Sequence, residues 1–226
     1  MKSIRVFFFG DSICVGQHVA LHRGWVCRTS AELYQLGTRL GREIVVTNAS
    51  ANGRTTREAL CRIEYEVQSQ NPDLTIIQFG MNDCNYWTSD GGLPRVSPAS
   101  FRANTAEIIL RALTFGSQRI LLNTNHPTAR TEENLPFSDR TYQQSNEHYN
   151  HLIREVSAEA GPEVILNDIE KAFLDETSGS REALLDLLLP PPDLLHLSER
   201  GHEVYFSAFY PVLEQAVLDI LQEEET

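Results

Sequence analysis

Near its start the chain reads Ile4-Arg5-Val6-Phe7-Phe8-Phe9-Gly10-Asp11-Ser12, an apolar run that ends abruptly in a Gly-Asp-Ser turn. Such a run is typical of a buried strand in a parallel sheet, because a strand covered on both faces needs no polar alternation. Ligands of open α/β sheets bind just beyond the carboxyl ends of the strands, so Ser12 stands where a reacting group belongs. Gly10 and Gly16 flank it and allow a tight turn and the close approach of a ligand. On these residues alone, Ser12 is equally well explained as an ordinary helix N-cap.

The composition is that of an ordinary globular protein, with 41% hydrophobic and 22% charged residues among 226. We therefore expect a single domain, residues 1–226, with enough chain for a complete core. The formal net charge of -12 argues against a nucleic-acid partner, since such surfaces need clustered Lys and Arg. No secretory signal precedes the first strand, and no apolar stretch reaches the ~18 residues that a membrane span needs. The sequence therefore predicts a cytoplasmic protein without a membrane span.

The cysteines show no pattern of a metal site. Cys14, Cys27, Cys61 and Cys84 form no CxxC pair and no His/Cys cluster with zinc spacing. We expect reduced, mostly buried thiols. Because Cys14 and Cys84 lie close in sequence to candidate site residues, a cysteine nucleophile is an alternative to Ser12, although the serine has the better position.

Apolar strand-like runs alternate with helical patterns along the chain. The predicted strands are residues 4–9, 43–49, 74–79, 119–123 and 164–167. The predicted helices are residues 25–40, 56–70, 98–115, 141–160 and 198–222, the last kinked or split at Pro211. Strands separated by helices of this length form βαβ units with a parallel sheet, and right-handed crossovers place helices on both of its faces.

Two connections are longer than packing requires, and both follow strands at the expected carboxyl edge. Residues 83–97 carry Tyr86 and Trp87, whereas residues 126–140 begin with His126 and contain two prolines. Each is explained either as the wall of a pocket or as a variable surface loop. We take Tyr86, Trp87 and His126 as candidate substrate-binding residues, and we expect the first loop to control substrate preference.

A base for Ser12 is available near the other end of the chain. A serine hydroxyl is a weak nucleophile unless a base removes its proton, and a histidine does so when a carboxylate fixes its tautomer. The spacing in Asp193-Leu194-Leu195-His196 puts the carboxylate and the ring within one turn of each other. Alone this pattern is weak, because Asp before a helix is usually a cap and His is usually at the surface.

Two polar turns follow the second and third predicted strands. The turn at residues 48–56 contains Gly53, and the turn at residues 80–83 contains Asn82. Acyl transfer needs donors aimed at the developing oxyanion, and the backbone N–H groups of Ser12 and Gly53 and the amide of Asn82 suit this role. Arg54 is either a binding residue for an anionic substrate group or a surface arginine. Each turn alone also passes as ordinary turn chemistry.

These blocks, in this order, resemble the SGNH hydrolases, also called the GDSL esterase/lipase family. Residues 10–13, Gly-Asp-Ser-Ile, look like the family's Gly-Asp-Ser-Leu, and Gly53 fits its oxyanion glycine. Asn82 fits the family's oxyanion asparagine, and the pair Asp193 and His196 matches its last block. Each block alone is weak, but four blocks in order, each after the expected strand, are a specific match.

The resemblance implies a flavodoxin-like, three-layer α/β/α sandwich around a central parallel sheet of about five strands. It also implies a serine esterase in which Ser12 attacks an ester carbonyl, His196 acts as the base and Asp193 orients it. The oxyanion is held by Ser12, Gly53 and Asn82, and water then releases the acyl group. The resemblance implies neither a metal nor an organic cofactor.

The substrate stays open, because the chain departs from the family pattern at Ile13, Cys14 and Ser50 without losing a catalytic group. Small acyl groups such as acetyl, on a small-molecule or carbohydrate alcohol, suit a polar site with aromatic residues nearby. A thioesterase or lysophospholipase is the alternative, and it would need a long apolar groove that no extended apolar loop supplies. A catalytically inactive binding protein on the same fold is the alternative from another class, and loss of a catalytic group would favour it.

Overall fold

The central element is a parallel sheet of five strands in the order β2-β1-β3-β4-β5, seen in a computed structural model that describes residues 3–224. The strands are β1 (Ile4–Gly10), β2 (Ile44–Asn48), β3 (Leu74–Gln78), β4 (Arg119–Asn123) and β5 (Val164–Asn167). Each strand lies within one residue of its predicted bounds, and every pairing is parallel. The predicted α/β fold with about five parallel strands is therefore confirmed.

Nine α-helices occur in the described part of the chain. They are α1 (Ser12–Val15), α2 (Trp25–Leu40), α3 (Thr56–Leu60), α4 (Ile63–Glu66), α5 (Pro98–Thr114), α6 (Tyr142–Glu159), α7 (Ile169–Thr177), α8 (Arg181–Leu187) and α9 (Glu199–Glu224). The single helix predicted over residues 56–70 is wrong. Arg62 leaves helical geometry, with φ -121° and ψ -8°, and separates α3 from α4. Pro211 does not end α9, which continues through it.

The winding of the sheet reverses between β1 and β3. The chain passes from β1 outward to β2, and then continues through β3, β4 and β5 on the other side of β1. Crossover connections between parallel strands are right-handed, so the connecting helices change to the other face of the sheet where the winding direction reverses. Accordingly, α2 packs with α9, and α5 packs with α6. The carboxyl ends of β1 and β3 therefore form a topological switch point, the usual ligand site of such sheets.

Aromatic side chains anchor the end of β1 to two helices. The ring of Phe8 meets Trp25 of α2 edge-on, at 5.5 Å between centroids, and Trp25 stacks on Tyr205 of α9 at 4.2 Å. The indole N–H of Trp25 also donates to the carbonyl of Ile13, at 2.9 Å. Because buried aromatic rings supply large, directional contacts, they give the turn that carries Ser12 a rigid base.

Helix α9 also has the length and composition of a membrane span. It has 26 residues and includes a window of mean hydropathy 1.2. By length and hydropathy, α9 therefore contradicts the expectation that no apolar segment of the chain is long enough to span a membrane. However, Tyr205, Phe209 and Leu213 are completely buried in the core. These buried residues of α9 close the core over the sheet.

Candidate active site

The turn after β1 presents Ser12 at the first position of α1. Asp11 is the N-cap, and its Oδ1 accepts a hydrogen bond from the N–H of Ile13 at 3.0 Å. The alternative in which Ser12 is itself the cap is therefore wrong. The N–H of Ser12 belongs to the first helical turn, where backbone donors have no intrahelical partner. A Cβ at Gly10 would lie 2.7 Å from the sulfur of Cys14, so only glycine fits before this turn.

Folding brings together the two ends of the chain around this serine. The Oγ of Ser12 lies 3.0 Å from Nε2 of His196, although the residues are 184 positions apart. The Nδ1 of His196 lies 2.8 Å from Oδ2 of Asp193. Because an ionised carboxylate only accepts, Nδ1 carries a proton and Nε2 is left as the acceptor for the serine hydroxyl. This is the nucleophile–base–carboxylate arrangement of serine hydrolases.

The loop that carries Asp193 and His196 is held by its own backbone. Oδ1 of Asp193 accepts from the N–H groups of Leu195, at 2.9 Å, and His196, at 2.6 Å. Burial raises the pKa of Asp193, but the hydrogen bonds from the ring and backbone of His196 and from Leu195 outweigh it and hold the pKa below its usual range. Leu194 has φ 55°, and Arg130 donates to the Asp193 carbonyl at 2.7 Å. The carboxylate is therefore charged and fixed toward the imidazole.

The other two donors lie at the same edge of the sheet, after β2 and β3. Gly53 has φ 74°, and nothing lies within 4 Å of the place where its Cβ would stand. The Asn82 Nδ2 group donates to Oδ2 of Asp11 at 3.4 Å, and its Oδ1 accepts from Arg95 at 3.3 Å. The contacts through Arg95 and Asp11 thus bring Gly53 and Asn82 beside the turn of Ser12, and their service to one oxyanion stays a prediction.

The model of the GDSL-like Lipase/Acylhydrolase family matches residues 8–204, which contain all the residues of the site. The chain belongs to this family.

Curated relatives of this GDSL-like protein include an "Arylesterase" from Vibrio mimicus, 24% identical over 125 residues, which are 55% of this chain and 56% of the relative. "Esterase TesA" from Pseudomonas aeruginosa is 29% identical over 118 residues, 52% of this chain and 53% of the relative. The chain spans about half the length of the curated relatives it matches.

Solved structures show the same fold over nearly the whole chain. The lipase/acylhydrolase from Enterococcus faecalis superposes with a TM-score of 0.69 at 23% identity, over 94% of this chain and 96% of that one. Axe2, an acetylxylan esterase from Geobacillus stearothermophilus, gives a TM-score of 0.70 at 22% identity, over 91% and 92% of the two chains. At such identities the likeness establishes the fold of the GDSL-like protein and not its substrate.

Two buried carboxyl groups stabilise the turns around the GDSL site. Burial raises the pKa of Asp11 to about 7 and that of Asp83 to about 6, despite the hydrogen bonds that each accepts. Oδ1 of Asp83 accepts from the N–H of Thr56 at 2.9 Å and from its hydroxyl at 2.5 Å. Asp11 therefore fixes the start of α1, and Asp83 ties the turn after β3 to the start of α3.

The cysteines do not have the surroundings of a nucleophile. All four are free, and Cys14 and Cys84 are buried. Burial raises the pKa of both of these thiols, so the reactive thiolate is disfavoured. The structure thus gives no support to the alternative of a cysteine nucleophile.

Arg54 does not have the position that was expected of it. Its side chain is 7% exposed and forms two hydrogen bonds with Glu66, at 2.7 and 3.1 Å. It also donates to the carbonyl of Ala49 at 2.8 Å. The guanidinium is thus neither a surface group nor free to bind a substrate anion; it holds the turn between β2 and α3 to α4.

His126 is likewise a structural residue instead of a pocket residue. Its ring is fully buried against Phe173, at 5.4 Å between centroids, and Nε2 donates to the carbonyl of Leu195 at 2.8 Å. Burial lowers the pKa of His126 to about 3, against the weaker opposite effect of that hydrogen bond. His126 therefore supports the loop of His196 from the protein interior.

This burial predicts a pH effect for His126→Gln. An unfolded histidine takes up a proton near pH 6.5, but the folded chain does so only near pH 3, so stability present above pH 6.5 is lost as the pH falls. Glutamine keeps a donor for Leu195 and does not titrate. For each pH unit of acidification, the free energy of unfolding of the variant should therefore rise by up to ~1.4 kcal/mol relative to that of the wild type.

Urea unfolding of both proteins at about pH 7 and about pH 4.5 measures this difference. His22→Gln, at an exposed position, is the control for the substitution itself. A difference for His126→Gln that does not change with pH would contradict the prediction.

One group of side chains at the GDSL site has the composition of a metal site. Ligand atoms of His18, Asp193 and His196 all lie within 4.8 Å of one another. The ring of His18 packs edge-on against that of His196, at 5.3 Å between centroids. Because Nδ1 of His196 and Oδ2 of Asp193 are already hydrogen-bonded to each other, we assign the group to the serine–histidine–aspartate arrangement and not to a metal.

A cavity of about 560 Å³ adjoins the loop of His196, and Leu194 forms part of its wall. The rest of the wall is mixed, because apolar residues such as Leu135, Pro191 and Pro192 stand beside the charged and aromatic residues Tyr86, Arg130, Glu132, Glu133, Tyr142 and Arg181. Trp87 is not among the described residues that line it; the half-exposed indole lies against the guanidinium of Arg95, at 4.1 Å. The structure thus separates the two aromatic candidates, with only Tyr86 facing the cavity.

Proposed function

We propose that the chain is a carboxylic ester hydrolase that works through an acyl-enzyme on Ser12. The observation that carries the proposal is the continuous hydrogen-bonded line from Ser12 Oγ through the imidazole of His196 to Asp193, at 3.0 and 2.8 Å. Such a line activates a hydroxyl that would otherwise be a weak nucleophile. It also argues against the alternative of an inactive binding protein, which would have no reason to retain it.

In the proposed reaction, His196 takes the proton of Ser12 as Oγ attacks the ester carbonyl. The oxyanion receives hydrogen bonds from the N–H groups of Ser12 and Gly53 and from the amide of Asn82. Collapse of the intermediate releases the alcohol, which takes its proton from His196. Water then attacks the acyl-enzyme with the same base, and Asp193 stabilises the imidazolium in both steps.

For the substrate, we propose a small acyl group such as acetyl on a polar alcohol of the carbohydrate class. The support is the cavity beside the loop of His196, whose wall carries arginine, glutamate and tyrosine side chains. These groups suit hydroxyls, because they offer both donors and acceptors. A thioesterase or lysophospholipase acting on long acyl chains would instead need an apolar groove. One structural neighbour is described as an acetylxylan esterase, and this agrees with the proposal.

A hydrolysis panel tests both parts of the proposal. It compares nitrophenyl acetate, butyrate and octanoate with an acetylated xylo-oligosaccharide, and a fluorophosphonate probe reports on Ser12. We expect the acetyl esters to be hydrolysed fastest and the probe to label Ser12. Rates that rise with acyl length would favour the thioesterase or lysophospholipase, and a folded protein that hydrolyses no ester and takes no label would favour the inactive binding protein.

Tyr86 is expected to influence the choice of alcohol. Because its ring lines the cavity, Tyr86→Ala should raise KM for the acetylated sugar by ~10-fold, which corresponds to the loss of about one hydrogen bond and of the packing of the ring. The KM for nitrophenyl acetate should stay nearly unchanged. Tyr86→Phe separates the hydroxyl from the ring. Equal losses on both substrates, measured as kcat/KM, would show that Tyr86 does not contact the alcohol.

A further inference from the structure

We propose that Arg95 is a positioning residue that holds two of the three oxyanion donors in place, an inference that rests on the function proposed above. The Nη1 atom of Arg95 donates to the carbonyl of Gly53 at 3.0 Å and to Oδ1 of Asn82 at 3.3 Å. One nitrogen atom therefore joins the turn after β2 to the turn after β3. No substrate contact is assigned to Arg95, so its effect passes through these two residues.

Arg95 is itself held firmly. Its backbone N–H donates to the carbonyl of Asn85 at 2.9 Å, and its side chain is 11% exposed. The guanidinium lies 4.1 Å from the centre of the Trp87 ring and 3.6 Å from a carboxylate oxygen of Glu58. A planar guanidinium that is stacked and paired in this way has little freedom left to lose, so its hydrogen bonds impose a direction on their acceptors.

The contact with Asn82 determines which end of the amide faces the nucleophile. An arginine nitrogen can only donate, so the amide must turn Oδ1 toward Arg95 and Nδ2 away from it. The Nδ2 group has two N–H bonds, of which one reaches Asp11 at 3.4 Å and the other is free for an oxyanion. A flipped amide would present its oxygen to the oxyanion and an N–H to the guanidinium, and both contacts would be repulsive.

The contact with Gly53 restrains the most flexible of the donors. Gly53 has φ 74° and no side chain, so its peptide groups can rotate with little resistance. Binding its carbonyl to Arg95 limits rotation about the bonds of this residue, and thereby limits the direction of its N–H. Oxyanion donors accelerate a reaction only when they are oriented before the charge develops. Arg95 thus supplies orientation to both donors.

The first test is Arg95→Met, which keeps an unbranched side chain similar to the aliphatic part of arginine and removes the guanidinium donors. Complete loss of one oxyanion donor costs ~10²–10³ in kcat, so loss of its orientation should lower kcat for nitrophenyl acetate by ~10-fold or more, with little change in KM. Arg95→Lys keeps a donor that can reach one acceptor, and it should recover part of this loss. An unchanged kcat in Arg95→Met would overturn the inference.

The second test asks whether Arg95 acts through Asn82. In an Asn82→Ala background there is no amide left to orient, so Arg95→Met should cost clearly less than it does in the wild type. A combined loss equal to the product of the two single losses would overturn the inference. Arg102→Met is the matched control: Arg102 lies on α5 and pairs with Glu159 at the surface, and kcat should stay at the wild-type value.

The third test is Trp87→Ala, measured as kcat on esters of different acyl length. Loss of the ring beneath Arg95 should lower kcat by the same factor for acetyl, butyryl and octanoyl esters, because orientation of the oxyanion donors does not depend on the acyl chain. A change in acyl preference would instead place Trp87 in the substrate site. Thermal unfolding and complete fluorophosphonate labelling of Ser12 verify that each variant is folded with its nucleophile intact.

These measurements separate failure of the inference from failure of the proposed function. Without ester hydrolysis by the wild type, the proposed function fails and the role of Arg95 fails with it. With an active wild type and unchanged Arg95 variants, only the positioning role fails.

Discussion

Replacing either Ser12 or His196 by alanine is expected to abolish ester hydrolysis almost completely, with kcat lower by up to ~10⁶-fold, and the double variant should be little worse. The physical reason is that the two groups act as a unit: without the base the hydroxyl stays protonated, and without the hydroxyl the base has nothing to activate. The 3.0 Å contact between Oγ and Nε2 is the structural basis of this coupling. Asp193→Ala should be milder, ~10⁴-fold, because the carboxylate orients the imidazole and takes no proton from it.

Saturation kinetics with nitrophenyl acetate measure these losses, and fluorophosphonate labelling identifies the nucleophile. Ser69→Ala and His22→Ala, both at exposed positions, should retain wild-type activity. Full activity in Ser12→Ala, with the probe on Cys14, would overturn this assignment.

Asn82→Ala is expected to lower kcat by ~10²–10³ while KM changes little. The amide N–H is worth more to a developing oxyanion than to the neutral carbonyl of the bound ester, so its loss raises the barrier without weakening substrate binding. The protein should still fold, because the bond that Asn82 donates to Asp11 is long, at 3.4 Å, and the amide is not part of the core.

The matched control for this variant is Asn104→Ala. The Asn104 amide donates to the hydroxyl of Thr56 at 3.1 Å and belongs to helix α5, outside the proposed oxyanion site. It should lose some stability and retain the wild-type kcat. An unchanged kcat in well-folded Asn82→Ala would remove Asn82 from the mechanism.

Local patterns in the sequence were sufficient to predict the strands and the turns of the site. A run such as residues 4–9 is buried on both faces, so its composition alone indicates a central parallel strand. Gly53 and Asn82 could be proposed as oxyanion donors because each lies in the turn after a predicted strand, and strands of one parallel sheet end at one edge. These features depend on residues that are close together in the sequence, so a local sequence pattern is sufficient to predict them.

Patterns were less reliable where a helix depends on its packing. The apolar spacing of Ala59, Ile63 and Val67 is that of one continuous helix, but Arg62 interrupts it. The break leaves Glu66 in contact with Arg54, at 2.7 Å. A tertiary ion pair of this kind has no signature in hydrophobic periodicity.

The sequence by itself determined the strand positions, the Gly-Asp-Ser turn and the short Asp193–His196 spacing. Only the tertiary structure decided which groups meet: Ser12 with His196 across 184 residues, and the guanidinium of Arg95 with the carbonyl of Gly53 across 42. For the same reason it removed the substrate-binding role considered for Arg54, which pairs with Glu66, and it placed Arg95, for which the sequence predicted nothing, beside Asn82. Burial and partners set what a charged side chain does, and both arise from contacts through space that no local spacing encodes.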